Sequence, residues 1–492
     1  MIVANDDQHK QDSYNGPTVR PPEPAARRRR SFSPLPDYEA SEAQYRKSLT
    51  VDRKRSWHQS KTWRTILFLL LTYTFLTIVV GVPIIVTQLR NRQHDDGFPL
   101  TDPDLLANQF ASSGPGITYT NDLPCNSWNE TKLNLAPLLY TATLDMQLPL
   151  TGDISIRSNA TLDETPATKL SGNLLVEYDP NLNSDSAFIS VSLHTSTLAL
   201  REATRVCYSY DGPDRGISIF FPNDMTDDDL IDMDIRVVFP QSITPTTIPN
   251  FNVFLPMFTQ NIQDLTKINF GSVNIDGSFR TINVTNIQAP CITVKNMIGD
   301  IMGVFNASET LILDTLKGIV DASITLVKPI YRTTPTKFLL DTGDESINAK
   351  ISLVSPASDN SLLSSPHFFG TINNFNAPVT VTFTQPNSSP AIPVRVTIQN
   401  SLAATDVVMD QKFEGSFVAQ TRLGRVSIDQ SDGNSMINPF ASDTPRTIVY
   451  KEDSAPSRRS GWISGGKEPP NSQSRVEIYS SLGPIGLHFG PT

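Results

Sequence analysis

The 492-residue sequence has little charge, little cysteine and none of the common catalytic signatures. Only 18% of its residues are charged, against a usual ~25%. It contains no His-Glu-x-x-His, Cys-x-x-Cys, Gly-x-Gly-x-x-Gly or phosphate-loop pattern, so zinc, redox and nucleotide chemistry lack their usual carriers. No Gly-x-Ser-x-Gly elbow or Cys/His signature accompanies His94, His194, His367 or His488. The expectation is a non-enzymatic protein without a cofactor or metal. Glycine, at 25 residues, is outnumbered by proline at 37, which argues against a mostly helical chain because proline interrupts helices.

What charge there is divides unevenly. Residues 1–64 carry 13 Lys/Arg against 8 Asp/Glu, a balance of +5, and residues 65–492 carry 27 against 42, a balance of −15. An acidic body repels phosphate backbones, which excludes nucleic acid as its partner.

Long apolar runs are absent with one exception. Thr65 to Leu89, TILFLLLTYTFLTIVVGVPIIVTQL, is free of charge between Arg64 and Arg90. As a helix it would measure about 37 Å, enough to cross a ~30 Å hydrocarbon core with some tilt. Arg46, Lys47, Arg53, Lys54, Arg55, Lys61 and Arg64 precede it, whereas Arg90 and Arg92 are soon followed by Asp95, Asp96, Asp102 and Asp104. The positive-inside rule then places residues 1–64 in the cytosol. The expected topology is single-pass type II, in the plasma membrane or secretory pathway, with the lipid bilayer as first partner.

Placement of sequons and cysteines agrees. Asn129, Asn159, Asn283, Asn306 and Asn387 each begin an Asn-x-Ser/Thr sequon, and all five follow the run. So do Cys125, Cys207 and Cys291, in what would be an oxidising lumen. Three cysteines allow one internal pair. Cys125–Cys207 is the expected disulfide, because Cys291 falls in a repeat-like strand region.

Residues 1–64 are proline-punctuated and poor in aliphatic side chains, so they are expected to be a disordered basic tail. Within it Leu35-Pro36-Asp37-Tyr38 resembles the L/P-P-x-Y ligands of WW domains in ubiquitin ligases. Asp232-Met-Asp234 has metal-binding spacing, but it alternates with Ile231, Met233 and Ile235, as the polar face of one strand would.

Beyond a polar stalk (90–118), period-2 alternation dominates, as in Val379-Thr-Val381-Thr-Phe383 and Val394-Arg-Val396-Thr-Ile398. Met257 to Ile268 is the best helical candidate. The fold class expected is all-β: an N-terminal β region (119–265), with a β-sandwich as the alternative, then a β-solenoid-like region (266–492) with an exposed loop at about 450–475. Aligning Gly299 with Gly318 pairs Val294 with Leu313, Ile301 with Val320 and Phe305 with Ile324, an offset of 19 residues. That period suits stacked coils, none of which buries its apolar face alone. Lys295, Asp300, Asp314 and Asp321 would face solvent, and Val304 to Ser308 would form a corner exposing Asn306.

Thr315 to Leu326, Phe413 to Ile428 and the terminal Ser-Ser-Leu-Gly-Pro-Ile resemble coils of adhesin-head-type β-solenoids. With the basic tail and single span, the layout resembles fungal single-pass membrane proteins carrying such an outer domain. The resemblance implies an adhesive or scaffold protein binding wall polysaccharide or another protein. The alternative is a carbohydrate-active β-helix lyase or hydrolase, whose carboxylates would meet only in space. A lipid-handling β domain is a third reading.

Overall fold

The computed structural model describes residues 125, 128, 130–133, 138–160, 169–209, 215–222, 224–241, 247–330, 332–355, 366–386, 389–430, 447–451, 455–464 and 474–490. The apolar run 65–89, the stalk, the tail motif Leu35, Pro36 and Tyr38, and the sequon residues Asn129 and Asn387 lie outside them. Among the described residues no helix is long and apolar enough to cross a membrane.

The described residues are nearly all β, with twenty-six strands among them joined in one hydrogen-bonded network. Most pairings are parallel and repeat coil by coil. One flank runs through β3 (Ile154–Ser158), β9 (Thr247–Phe254), β11 (Asn269–Asp276), the second half of β12 (Ile282–Asn296) and the second half of β13 (Ile301–Thr315). It continues through β15 (Thr336–Thr342), β17 (Phe368–Asn374) and β19 (Val394–Asn400). The opposite flank uses β4 (Leu170–Asn183), β10 (Phe258–Asp264), the first halves of β12 and β13, β14 (Val320–Val327), β16 (Ile347–Val354), β18 (Val379–Thr384) and β20 (Thr405–Met409).

Alternation in the sequence is what the strands bury. In β18, Val379, Val381 and Phe383 point inward while Thr380 is exposed. A single apolar cluster runs from Leu144 to Phe489, fed by both flanks. The 19-residue alignment is the ladder register: Ile301 sits beside Val320, Phe305 beside Ile324, and Val294 beside Leu313.

Several expectations are corrected. No break in core or pairing marks residue 265, since β10 pairs with β4 on one side and β12 on the other. The N-terminal region is therefore part of the same stack. Met257 to Ile268 contains β10 rather than a helix, because ladder pairing on both sides overrides its propensity. The helix that forms among the described residues, α1 (Leu198–Ala203), starts at Thr197, whose hydroxyl accepts from the Leu200 amide at 3.2 Å. Within the expected loop at 450–475, β24 (Arg458–Ser464) forms and pairs antiparallel with β21 (Gly415–Thr421) and β23 (Thr447–Tyr450). That hairpin covers an edge that a parallel stack would otherwise leave open to further strands.

The last two strands, β25 (Arg475–Ser480) and β26 (Ile485–Phe489), insert between earlier coils. β25 lies between β19 and β21, and β26 between β20 and β22 (Val426–Gln430). Spatial order thus departs from chain order at the C-terminal end.

Seven four-residue turns link the two flanks along one edge, and they are built alike. Asn296, Thr315, Thr342, Asn374, Asn400, Thr421 and Ser480 precede them, all buried. The Thr315 hydroxyl accepts from the Gly318 amide at 3.0 Å, Thr342 donates to the Gly318 carbonyl at 2.9 Å, and the Asn400 amide donates to the Ala377 and Ala404 carbonyls at 3.1 Å. These side chains satisfy backbone groups that a tight turn would leave unpaired; the Ser480 hydroxyl is the exception, buried with no hydrogen-bond partner. A Cβ on Gly318 or Gly483 would fall under 3.0 Å from the carbonyl oxygen of Gly299 or Ala403 in the adjoining turn. Glycine is what lets these neighbouring turns nest.

Candidate functional site: a carboxylate row on one flank

Because the coils are in register, one side chain per coil forms a row with about 4.8 Å between neighbours. On the flank built from β11, β12, β13, β15 and β17, one row reads Asp276, Lys295, Asp314, Asp341, Asn373. The Asn373 amide donates to Asp341 Oδ2 at 3.0 Å. Burial, eased by Lys295, pushes the Asp276 carboxyl up to about 6. Burial together with the neighbouring Asp341 pushes Asp314 to about 6 as well, and burial raises Asp341 against the opposing bond from Asn373. Of the four residues expected to face solvent, Lys295, Asp300 and Asp314 are half-buried, and Asp321 is exposed.

The floor beside the row explains the burial. Ile312 and Leu339, one row over, are only 5% and 3% exposed although they stand outside the main core cluster. Asp314 and Asp341 thus sit beside sheltered apolar surface, which disfavours their charged forms. Further along that neighbouring row, Glu477 is buried and pairs with Arg475 and with the Thr397 hydroxyl at 3.5 Å.

Carboxylates that keep protons near pH 6 can donate or accept them, and rows of acid and amide groups can bind sugar hydroxyls. A metal site is a poorer match. Among the described residues no group of three His, Cys, Asp or Glu side chains is placed to hold an ion, and Lys295 separates Asp276 from Asp314.

Two histidine clusters lie elsewhere. On β5 (Ser186–Thr195), His194 contacts the Thr141 hydroxyl through Nδ1 at 3.0 Å and the Ser192 hydroxyl through Nε2 at 3.2 Å. Asp232 and Asp234 neighbour it from β8 (Ile231–Gln241), on the outer face expected for them. The carboxyl of Asp234 is raised by burial and by Asp232, with His194 opposing. His488 lies between Asp406 at 2.9 Å and Asp429 at 3.7 Å.

The other predicted residues are dispersed. Cys125 and Cys207 are joined as a disulfide, and Cys291 is free and half-buried, with Sγ 3.6 Å from Glu309 Oε2. Asn283 is exposed on β12. Asn159 is half-buried, and its amide exchanges two hydrogen bonds with the Phe221 backbone. Asn306 lies within β13 rather than at a corner, donating to Asn286 Oδ1 at 2.9 Å. The corner falls just after it: β13 pairs with β14 through Ala307 and with β15 from Thr310.

No family model matches the chain, and neither does any curated protein. Among solved structures, a "putative cell adhesion protein" from Clostridium sporogenes aligns over 71% of this chain and 99% of its own, at 8% identity and a TM-score of 0.15. A score that low carries no argument about fold or function.

Proposed function

We propose that the chain is a single-pass type II membrane protein whose β-solenoid outer domain binds a repeating polymer, wall polysaccharide or protein, along its flank. The carrying observation is the in-register row Asp276, Lys295, Asp314, Asp341, Asn373, which offers one polar group per coil beside sheltered apolar surface. Repeating ligands suit repeating rows, since each added unit meets the same chemistry one step along. In this reading the apolar run 65–89 anchors the protein and Asn129, Asn159, Asn283, Asn306 and Asn387 are the acceptor positions for glycans. Leu35, Pro36 and Tyr38 offer a WW-domain ubiquitin ligase its ligand, and no cofactor or catalysis is involved.

The raised carboxyls of neighbouring Asp314 and Asp341 favour a second reading, a glycan-cleaving enzyme. One experiment separates them. The purified full chain, with Asp314→Ala and Asp341→Ala variants, is applied to an array of wall glycans and assayed for new reducing ends. Binding lost in both variants without release of ends supports the binding reading. Release that depends on both carboxylates supports the enzyme, and binding unaffected by either substitution excludes the row.

A further inference from the structure

The turn edge carries a second surface, independent of the carboxylate row. Its turns stack in the order 297–300, 316–319, 343–346, 375–378, 401–404, 481–484 and 422–425. Backbone bonds fix that order: Leu316 N donates to Met297 O, Gly343 N to Leu316 O, Phe375 N to Gly343 O, Leu402 N to Phe375 O, Leu482 N to Ser401 O and Leu423 N to Ser481 O. Exposed apolar side chains crown six of the seven turns: Met297, Leu316, Phe375, Leu402, Leu482 and Leu423. Leu423 is 78% exposed, and Leu316 and Phe375 56% each. Scattered surface leucines are ordinary, but a file of apolar side chains along one edge, interrupted at the third turn alone, marks an interaction surface.

Charge along the same edge identifies the occupant. The third turn, Gly343-Asp344-Glu345-Ser346, carries two acids; the seventh, Arg422-Leu423-Gly424-Arg425, carries two bases; the three turns between them carry none. All four charged residues are exposed. These two turns lie symmetrically about the fifth, the one holding Leu402, two steps of about 4.8 Å from each, while Asp300 and Lys317 on the first two turns fall beyond the overlap such symmetry creates. We propose that this edge is an isologous, antiparallel contact between two copies of the chain, with the two-fold axis passing at Leu402.

That symmetry places Leu402 against Leu402 and Phe375 against Leu482. Asp344 and Glu345 of each copy meet Arg422 and Arg425 of the other. Leu423, the most exposed of the six, meets the turn where Gly343 leaves room. Parallel pairing would instead set acids against acids and bases against bases, so the charges select the antiparallel form. A single file of turns is narrower than the ~800 Å² per partner of a standard interface. The contact is accordingly weak and reversible.

Cysteine cross-linking in cells expressing the full chain tests it, with the parent chain and its own Cys291 as control. Leu402→Cys alone should give a covalent dimer on mild oxidation. Glu345→Cys and Arg422→Cys should cross-link when carried on different copies but not when either is expressed alone. Reversing Asp344 and Glu345 to Arg should cut the Leu402→Cys dimer by about tenfold, the equivalent of ~1.4 kcal/mol, and adding Arg422→Glu and Arg425→Glu should restore it. A Leu402→Cys chain that reaches the surface yet stays monomeric overturns the proposal. So does cross-linking of Glu345→Cys alone, which would mean parallel pairing. Labelling of Leu402→Cys by lipid-soluble but not water-soluble maleimide would also overturn it, by assigning the edge to a bilayer.

Discussion

Asp314→Asn tests the sheltering of the flank directly. In the folded chain the Asp314 carboxyl is raised from 3.8 to about 6, so the folded state holds its proton more tightly than the unfolded state. For a raised acid, the stabilising contribution is fully present below the unfolded value and is lost as pH rises through the folded one. A rise from 3.8 to about 6 corresponds to ~3 kcal/mol. Asp341 and Asp276 share the effect and the group is not fully buried, so we expect about 1–3 kcal/mol. The amide resembles the protonated acid, and the variant should therefore match the parent at about pH 4 and exceed it at about pH 8 by that amount. Thermal unfolding of parent and variant across this range supplies the assay. Taking the difference between them cancels groups that titrate oppositely, such as Asp264, which hydrogen bonds from Thr266 hold low. A variant equally stable relative to the parent at both ends would refute the claim that this flank is sheltered.

Three further outcomes follow from the stack and the topology. Gly318→Ala should destabilise by about 2 kcal/mol or more, since its Cβ has no space beside the Gly299 carbonyl; denaturant midpoints would show it. Val320→Asp should abolish export of folded protein while Asp321→Ser changes stability by about ±0.5 kcal/mol or less, because neighbouring residues on one strand face opposite sides. If both are tolerated alike, the register is wrong. Treatment with a glycosidase should lower the mass of the expressed protein, and protease added outside intact cells should spare residues 1–64; an unglycosylated chain with its tail cut would reverse the orientation.

Legibility in the sequence followed the range of the interactions. Val320, Ile324 and Leu313 could be assigned to the core from alternation and a single glycine alignment, because adjacent coils of β12, β13 and β14 really are neighbours in the chain. The insertion of β25 and β26 between β19, β20 and β21, β22 could not, since pairing of Ile398 with Ile478 joins residues 80 apart with no local signal. Asp314 was misplaced for a related reason. Its i, i+1 alternation marks it as outward-facing, but outward means solvated only if nothing shelters the flank, and Ile312 shows that this one is sheltered. The buried series before the turns, from Asn296 to Ser480, most of it capping them, was visible in principle. An Asn, Thr or Ser stands five residues before each following strand, yet such residues are common enough that only the stacked geometry distinguishes them.

The division of labour within each coil bears on where function can reside. Inward positions are held by one continuous core, and the residues before the turns, Ser480 excepted, are committed to backbone hydrogen bonds. Gly318 and Gly483 are held by close contact between neighbouring turns. What remains free to vary without disturbing the fold is the first half of each turn and the outward side chains of each strand. Those positions carry the apolar file, together with Asp344 and Arg422 beside it, and the carboxylate row. Both surfaces are periodic because the backbone beneath them is, and both run parallel to the stacking direction. Two copies joined along the turn edge would therefore leave the flanks uncovered, so that pairing and polymer binding can occur together. Loss of the Leu402 contact should weaken binding to a multivalent polymer through lost avidity, while leaving binding to a short fragment unchanged.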